Sequence, residues 1–158
     1  MREILFRGKR TEGCWLYGDL RQWSDSKKGI RDRDLKSTIA VIPDTVGQYT
    51  GLTDRNGTKI FEGDIVRYNT YNDFDCHSAV KFGEYEQDGS AGEYHPKDCI
   101  GWYVEVDNFT CHDWAEDDPI YFEDYLTQQN LFEVSDECEV IGNIHDNPEL
   151  IGGKEDGE

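Results

Sequence analysis

The chain has 158 residues, the length of about one domain, and its 36% hydrophobic and 13% aromatic content predicts a folded core under a polar surface. The net charge is −18: residues 1–79 hold 13 basic and 12 acidic side chains, a net of +1, and residues 80–158 hold 3 and 22, a net of −19. Because the acidic half repels phosphate, we expect no direct nucleic-acid binding. The chain has neither a long apolar run nor a signal peptide, so we expect a cytoplasmic protein without membrane contact.

The N-terminal third predicts a hairpin, a loop and a short strand. Residues 1–7 alternate as a strand, and residues 15–20 return as its partner after a turn. Residues 24–36 are densely charged with both signs, which predicts a surface loop. Residues 37–42 form a short β-branched strand that ends at Pro43.

The middle of the chain, residues 48–68, reads QYTGLTDRNGTKIFEGDIVRY. Asn56-Gly57 supplies positive φ at the centre of a tight hairpin turn at little steric cost. Gly63 permits a sharp corner, and Asp64 can accept hydrogen bonds from backbone amides there. The segment therefore predicts two corners that each turn one strand into the next.

The following part of the chain is predicted to alternate between strands and polar loops. Residues 69–78 are predicted as a loop, residues 79–83 as a strand and residues 84–98 as a further irregular excursion. Residues 100–107 alternate most regularly, with three side chains facing inward: Trp102, Val104 and Val106.

The C-terminal part predicts one helix and a last strand. Asp117-Asp118-Pro119 is typical of a helix start, and apolar residues follow it at helical spacing as far as residue 129. Residues 139–144 form the last strand, and residues 152–158 form a flexible acidic tail.

These elements predict a mainly β fold, that is, a β-rich α+β chain. It is either a small SH3-like barrel or a strongly bent antiparallel sheet, with one or two short helices. We expect a single domain over residues 1–150, or alternatively a hairpin lobe over 1–45 and a barrel lobe over 46–150. The acidic tail occupies residues 151–158.

Three blocks of sequence occur in the same order as in a known family. They cover residues 1–8, 48–68 and 139–150, and together they resemble the YopX family of bacteriophage and prophage proteins. The resemblance implies a phage accessory protein of unknown biochemical function, and it supplies no catalytic residue. It departs from the family at His145, where an aromatic residue is more usual. The blocks contain the residues that we predict as structural turns: Gly51, Asn56, Gly57, Gly63, Asp64, Gly142, Asn147 and Pro148.

The cysteines and histidines do not predict a metal site. The five cysteines form no CxxC pair, and an odd number argues against a disulfide framework. Cys76-His77 and Cys111-His112 are adjacent pairs, with His95 and Cys99 between them. Because neighbouring residues of a strand point to opposite faces, one pair rarely offers both ligands to one ion. We predict no metal and no cofactor.

The acidic C-terminal half offers a candidate interaction face of acids interleaved with an aromatic residue. Such acids could bind Mg²⁺ for phosphoryl transfer, but runs of acids are usually solvated faces. A phage protein with a negative face could instead mimic DNA and inhibit a host DNA-binding protein. The candidate face comprises Asp107, Asp113, Trp114, Glu116, Asp117, Asp118, Glu123 and Asp124.

A non-enzymatic interaction protein fits these features best. Many aromatic residues, and the edge strands that a mostly β chain must cover, favour self-association into a homo-oligomer. A basic or DNA-binding host protein is the alternative partner. A metal-dependent phosphoryl-transfer enzyme is the remaining alternative.

Overall fold

The computed structural model describes residues 1–69, 75–89, 94–105, 108–110 and 128–152. Within these ranges the chain is mostly β-strand in two antiparallel sheets, which confirms the prediction of a mainly β fold. Both sheets are open, so the closed SH3-like barrel is not the form adopted. The α-helix of the described part, α1, covers Leu131–Val134, and 3-10 turns cover Pro43–Thr45 and Pro148–Ile151.

The chain divides into two compact units. Unit 1 comprises Met1–Leu52 and Lys59–Glu62, and unit 2 comprises Thr53–Thr58 and Gly63–Glu158. The predicted domain boundaries stay a prediction, because compact units need not be domains that fold alone.

The sheet of unit 1 has six strands in the spatial order β4-β3-β2-β1-β5-β6. The predicted N-terminal hairpin is present, since β1 pairs with β2 across a turn over residues 11–13. The first strand begins later than predicted, at Phe6. The strands are β1 Phe6–Lys9, β2 Trp15–Ser24, β3 Lys27–Asp32, β4 Thr38–Val41, β5 Gly47–Thr53 and β6 Lys59–Phe61.

The core of unit 1 includes a buried arginine among aromatic rings. Leu5, Tyr49 and Phe61 form one buried cluster. The Arg7 guanidinium carbon lies 4.8 Å from the ring centre of Trp15 and 5.1 Å from that of Phe61. Its Nη2 donates to a backbone carbonyl oxygen, that of Glu62, at 3.2 Å. Ring faces and a carbonyl thus surround the positive charge, as a buried guanidinium requires.

The prediction of a surface loop over residues 24–36 is wrong, because β3 runs through it. The side chain of Ile30 is fully buried, and Ile30 pairs with Leu20 of β2 on one side and with Ile39 of β4 on the other. One apolar row across three strands is enough to hold β3 in the sheet. The charged residues around Ile30 obscured this single anchor.

The sheet of unit 2 has the order β11-β9-β8-β7-β12, and β10 also pairs with β8. The predicted pairing of the strand after Gly63 with residues 79–83 is confirmed at its start, where Ile65 pairs with Ala79. The predicted last strand is present as β12. The strands are β7 Asp64–Asn69, β8 Asp75–Gly89, β9 Tyr94–Val104, β10 Asn108–Thr110, β11 Gln129–Asn130 and β12 Glu139–Asn143.

The core of unit 2 is formed by side chains of β7, β8, β9 and α1. Its apolar side chains are almost completely buried, and one polar pair is buried with them. The Tyr68 and Ser78 hydroxyl groups lie 3.2 Å apart within hydrogen-bonding distance, so each satisfies the other away from water. The largest buried apolar residues of this core are Ile65, Val66, Val80, Val104 and Leu131.

Two further loop predictions are corrected here. Residues 84–98 are not an irregular excursion, because β8 extends to Gly89 and β9 begins at Tyr94. The predicted loop over 69–78 is wrong over 75–78, which already belong to β8. The predicted helix near residues 117–129 lies outside the described residues over 117–127, and its last predicted residue, Gln129, belongs to the strand β11. The tail beyond residue 152 lies outside the described residues as well.

Candidate functional site

The long hairpin of β8 and β9 leaves the core of unit 2 part-way along its length. Val80 pairs with Val104, and both side chains are buried. Two residues further along each strand on the same face, Phe82 pairs with Trp102. The pair after that is Glu84 with Ile100. The buried row of the core therefore continues outward as an apolar row on the surface.

This surface is exposed, although three of its side chains are large and apolar. Phe82 is 57% and Ile100 is 74% exposed, and Trp102 is half-buried. The Phe82 and Trp102 rings meet edge to face with centres 4.9 Å apart. Three exposed carboxylates share the strand face, since Glu86 pairs with Asp98 next to Glu84. We call this surface the hairpin face; it comprises Phe82, Ile100, Trp102, Glu84, Glu86 and Asp98.

The opposite face of the same hairpin is covered. Tyr85 is buried, and its ring stacks on Tyr103 with centres 5.2 Å apart. The helix α1 packs against β9, and the Gln87 amide nitrogen donates to a Glu133 carboxylate oxygen at 2.9 Å. One side of the hairpin is thus anchored to unit 2, which holds the hairpin face in a defined position.

A separate cleft of about 260 Å³ opens in unit 2, lined by Arg55, Arg67, Tyr68, Asn69 and Glu137. The Arg67 guanidinium contacts both oxygens of Asp75, with its Nε 2.8 Å from Oδ1 and its Nη2 2.8 Å from Oδ2. The Arg55 Nη2 lies 2.6 Å from Glu139 Oε2. Because a carboxylate holds each guanidinium, the cleft has balanced charge and does not form a strongly positive anion site.

The two buried thiols of the described residues are not activated. Cys76 and Cys138 are fully buried, and burial raises the pKa of Cys76 to about 11 and that of Cys138 to about 12. A thiol rather than a thiolate is present at neutral pH, so neither is a nucleophile there. Cys14 is exposed.

The adjacent Cys76 and His77 do lie on different faces. Cys76 is buried in the core, whereas the half-buried His77 has its Nδ1 3.0 Å from the Leu150 carbonyl oxygen. Over the described ranges, no group of three or more His, Cys, Asp or Glu side chains is placed to hold a metal ion. Cys111 and His112 lie outside those ranges, so the expectation of no metal stays a prediction.

The comparison with protein families decides the relationship of the chain. The model of the YopX family, described as YopX protein, matches residues 6–152. The chain belongs to the YopX family. No curated protein matches it.

One solved structure resembles this YopX member in outline. It is titled "Crystal structure of protein EF1440 from Enterococcus faecalis". The sequence identity is 22%, the TM-score is 0.41, and the match covers 96% of this chain and 99% of that chain.

The turn residues predicted from the YopX resemblance lie at several kinds of position. Gly57 and Gly63 both have a φ of 81° at the two corners of the middle segment. Asn56 lies in the first corner, and Asp64 is buried just after the second. The remaining members lie elsewhere: Gly51 within β5, Gly142 at a register shift in β12, and Asn147 and Pro148 at the start of the last 3-10 turn.

The last YopX block, residues 139–150, is held together by asparagine side chains. The Asn143 Oδ1 accepts from the backbone amides of His145 and Asp146, each at 3.0 Å. A Cβ placed on Gly142 would come within 2.5 Å of Asn147 Oδ1, so only glycine lets these segments approach. His145 is exposed, and its departure from the family pattern therefore disturbs no core.

Asp54 organises the first corner, and the sequence reasoning did not single it out. Its Oδ1 accepts from the backbone amides of Asn56 and Thr58, each at 2.9 Å, and its Oδ2 accepts from the amide of Val140 at 2.9 Å. Burial raises the pKa of the Asp54 carboxyl, but these amides outweigh burial and bring the pKa below its ordinary value. The middle and last YopX blocks are thus joined through one carboxylate.

The predicted acidic and aromatic interaction face lies outside the described residues. This holds for all eight of its members, from Asp107 to Asp124. The exposed hairpin face was missed, because the sequence placed Trp102 inward and residues 84–98 in a loop. The available signal was the alternation of Phe82, Glu84 and Glu86, which share one face of a strand.

Proposed function

We propose that this YopX protein is a non-enzymatic, self-associating interaction protein that serves an accessory role for a phage or prophage in the host cytoplasm. The observation that carries the proposal is the hairpin face of unit 2. There, Phe82, Ile100 and Trp102 form an exposed apolar surface at the end of a buried row.

An exposed group of large apolar side chains on a regular sheet favours a binding role. Single exposed apolar residues are common on proteins, whereas contiguous ones rimmed by polar residues mark interaction sites. Aromatic anchors of this kind contribute most of the energy of many interfaces. The hairpin face has two aromatic rings in mutual contact and carboxylates along its rim.

The reactive groups of the described residues favour binding over catalysis. The buried thiols have raised pKa values, and carboxylates hold the arginines of the cleft. No helix in the described part of the chain is long and apolar enough to cross a membrane. The role of an interaction protein needs no reactive group, and it accounts for the hairpin face directly.

The charge distribution limits which surfaces of two copies can meet. Unit 1 has 11 basic and 8 acidic residues, a net of +3, whereas unit 2 has 5 and 26, a net of −21. Two copies repel as whole molecules, because each has a net charge of −18, so a contact between them needs a basic surface of unit 1 against an acidic surface of unit 2.

Analytical ultracentrifugation over a wide concentration range tests the proposal. We expect the mass of the wild-type protein to rise with concentration, and the double variant Phe82→Ser with Ile100→Ser to stay monomeric. Leu35→Ser is the matched control, because Leu35 is as exposed as these residues but lies in unit 1. This control should associate like the wild-type protein. A strict monomer at every wild-type concentration would contradict the proposal.

An acidic mimic of DNA remains the second candidate, and the net charge of −21 on unit 2 favours it. Such a protein would occupy a basic or DNA-binding host protein. Pull-down of purified host nucleoid and restriction proteins at low salt tests it, since this is where a charged interface is strongest. Binding that survives Phe82→Ser with Ile100→Ser but disappears in high salt would support the mimic. No capture at low salt would exclude it.

A further inference from the structure

The hairpin face is poorly suited to pairing with itself. Its apolar centre is bordered by Glu84, Glu86 and Asp98, all exposed. A two-fold interface places the same patch of both copies face to face, and two such patches would bring six carboxylates together. Like charges across an interface cost free energy unless basic groups lie between them. A surface that binds the hairpin face therefore needs aromatic and basic side chains.

Unit 1 has such a surface on the outer side of β2, β3 and β4. The inner side is identified by the row of Leu20, Ile30 and Ile39, whose central residue is fully buried. The next row along the strands points the other way, and it pairs Arg21 with Gly29. Arg31 follows on the same side, two residues beyond Gly29, where it is half-buried and pairs with Asp19 of β2. The Asp19 carboxylate is held by Arg33, with 2.9 Å between Oδ1 and Nη2.

Trp23 lies on this outer side at the end of the β2–β3 hairpin. A Cβ built on Gly29 would lie 2.8 Å from the Trp23 ring, so the ring extends across the glycine between the strands. Even so, Trp23 is 61% exposed. Gly29 leaves room for a flat aromatic surface with arginines beside it. We call this surface the Trp23 face; it comprises Arg21, Trp23, Gly29 and Arg31.

We propose that the Trp23 face of one copy docks on the hairpin face of a second copy, in a head-to-tail contact. Trp23 would pack against Phe82 and Ile100, and the arginines would face the rim carboxylates. This inference rests on the proposed self-association and names the two surfaces involved. The two surfaces are complementary in charge: the Trp23 face has an indole with one exposed and one half-buried arginine, and the hairpin face has apolar side chains with exposed carboxylates.

A head-to-tail contact has a consequence for the assembly. The two surfaces differ, so a single contact between two copies leaves one hairpin face and one Trp23 face unused. Further contacts can form on these until a closed assembly leaves none unused. A dimer in which both contacts form at once is the smallest such assembly.

A mixing experiment with two variants tests the contact. One variant, Arg21→Glu with Trp23→Ser, loses the Trp23 face but keeps the hairpin face. The other variant, Phe82→Ser with Ile100→Ser, loses the hairpin face but keeps the Trp23 face. All four side chains are exposed, and circular dichroism with thermal melting checks that both variants fold like the wild-type protein.

We expect each variant alone to be monomeric in analytical ultracentrifugation. An equimolar mixture should form a one-to-one dimer and nothing larger, because only one intact pair of surfaces remains. If the Trp23 variant alone still associates like the wild-type protein, the head-to-tail inference is overturned while the proposed function stands. A mixture that stays monomeric, although the wild-type protein associates, also overturns it. If the wild-type protein is monomeric at every concentration, both the head-to-tail inference and the proposed function are contradicted.

Discussion

Single polar side chains stabilise the corners of this fold, and Asp54 makes the largest contribution. Its carboxylate accepts three backbone hydrogen bonds from two segments that are far apart in sequence. Neither Gly57 nor Gly63 provides that connection, although their positive φ angles make the turns possible. The glycines allow the chain to turn, and the hydrogen bonds to Asp54 stabilise that turn.

Replacing Asp54 with alanine should destabilise unit 2. The change removes the acceptor of three backbone hydrogen bonds, and each such bond contributes about 0.5–1.5 kcal/mol net where water can replace it. Urea denaturation followed by circular dichroism measures the loss of unfolding free energy. Asp34→Ala is the control, because Asp34 is exposed, and it should leave the midpoint nearly unchanged. Equal midpoints for the two variants would contradict the role given to Asp54.

The same carboxylate predicts how stability depends on pH. The pKa of Asp54 in the folded protein lies below its ordinary value of 3.8. Its contribution is therefore fully present above that value and disappears as the pH falls through the lower, folded pKa. The difference in unfolding free energy between wild-type protein and Asp54→Asn should be constant near neutral pH and shrink in acid. A difference that grows in acid would mean that the folded pKa is raised instead.

Whole strands depend on fewer contacts than their sequences suggest, and β3 is the clearest case. Ile30 is its one fully buried apolar side chain. Ile30→Ala should cost about 2–5 kcal/mol, the range for removing a buried aliphatic side chain. Leu35→Ala removes an apolar side chain that is 69% exposed and should have little effect. Thermal melts of both variants measure the difference in melting temperature. If residues 24–36 were a surface loop, both substitutions would have little effect.

The strands and turns that were predicted correctly are encoded by patterns within a short stretch of sequence. The first hairpin, β4, the two corners and β12 combine apolar alternation with Gly, Asn or Pro at the turn. In contrast, β3 and the outer half of the β8–β9 hairpin are rich in charge and glycine, and pairing with a neighbouring strand holds them. Cross-strand pairing is not visible in the sequence of one strand, which is why both were predicted as loops.

The candidate site was harder to predict than the fold for the same reason. Trp102 follows the inward pattern of Val104, and only the pairing register shows that the row has left the core by that point. Trp23 lies just before the segment that was predicted as a charged loop, and the sequence assigned it no role. The hairpin face and the Trp23 face both become surfaces only when neighbouring strands bring their members side by side.

The molecule as a whole has an uneven charge, with a net of +3 on unit 1 and −21 on unit 2. Such a charge opposes the folded state through repulsion within unit 2. Salt should therefore stabilise the folded state by screening that repulsion. An ionic-strength series can measure the effect.

To isolate folding, the series uses the double variant Phe82→Ser with Ile100→Ser, which we expect to be monomeric. Raising NaCl from about 10 mM to about 0.1 M shortens the screening length from about 30 Å to about 10 Å. The melting temperature at pH 7 should rise, because repulsion among the carboxylates of unit 2 is then screened. Near the sequence pI of about 4.4 the net charge is close to zero, and the same salt change should have little effect. A rise of equal size at both pH values would point to a general salt effect on burial instead of relief of charge repulsion.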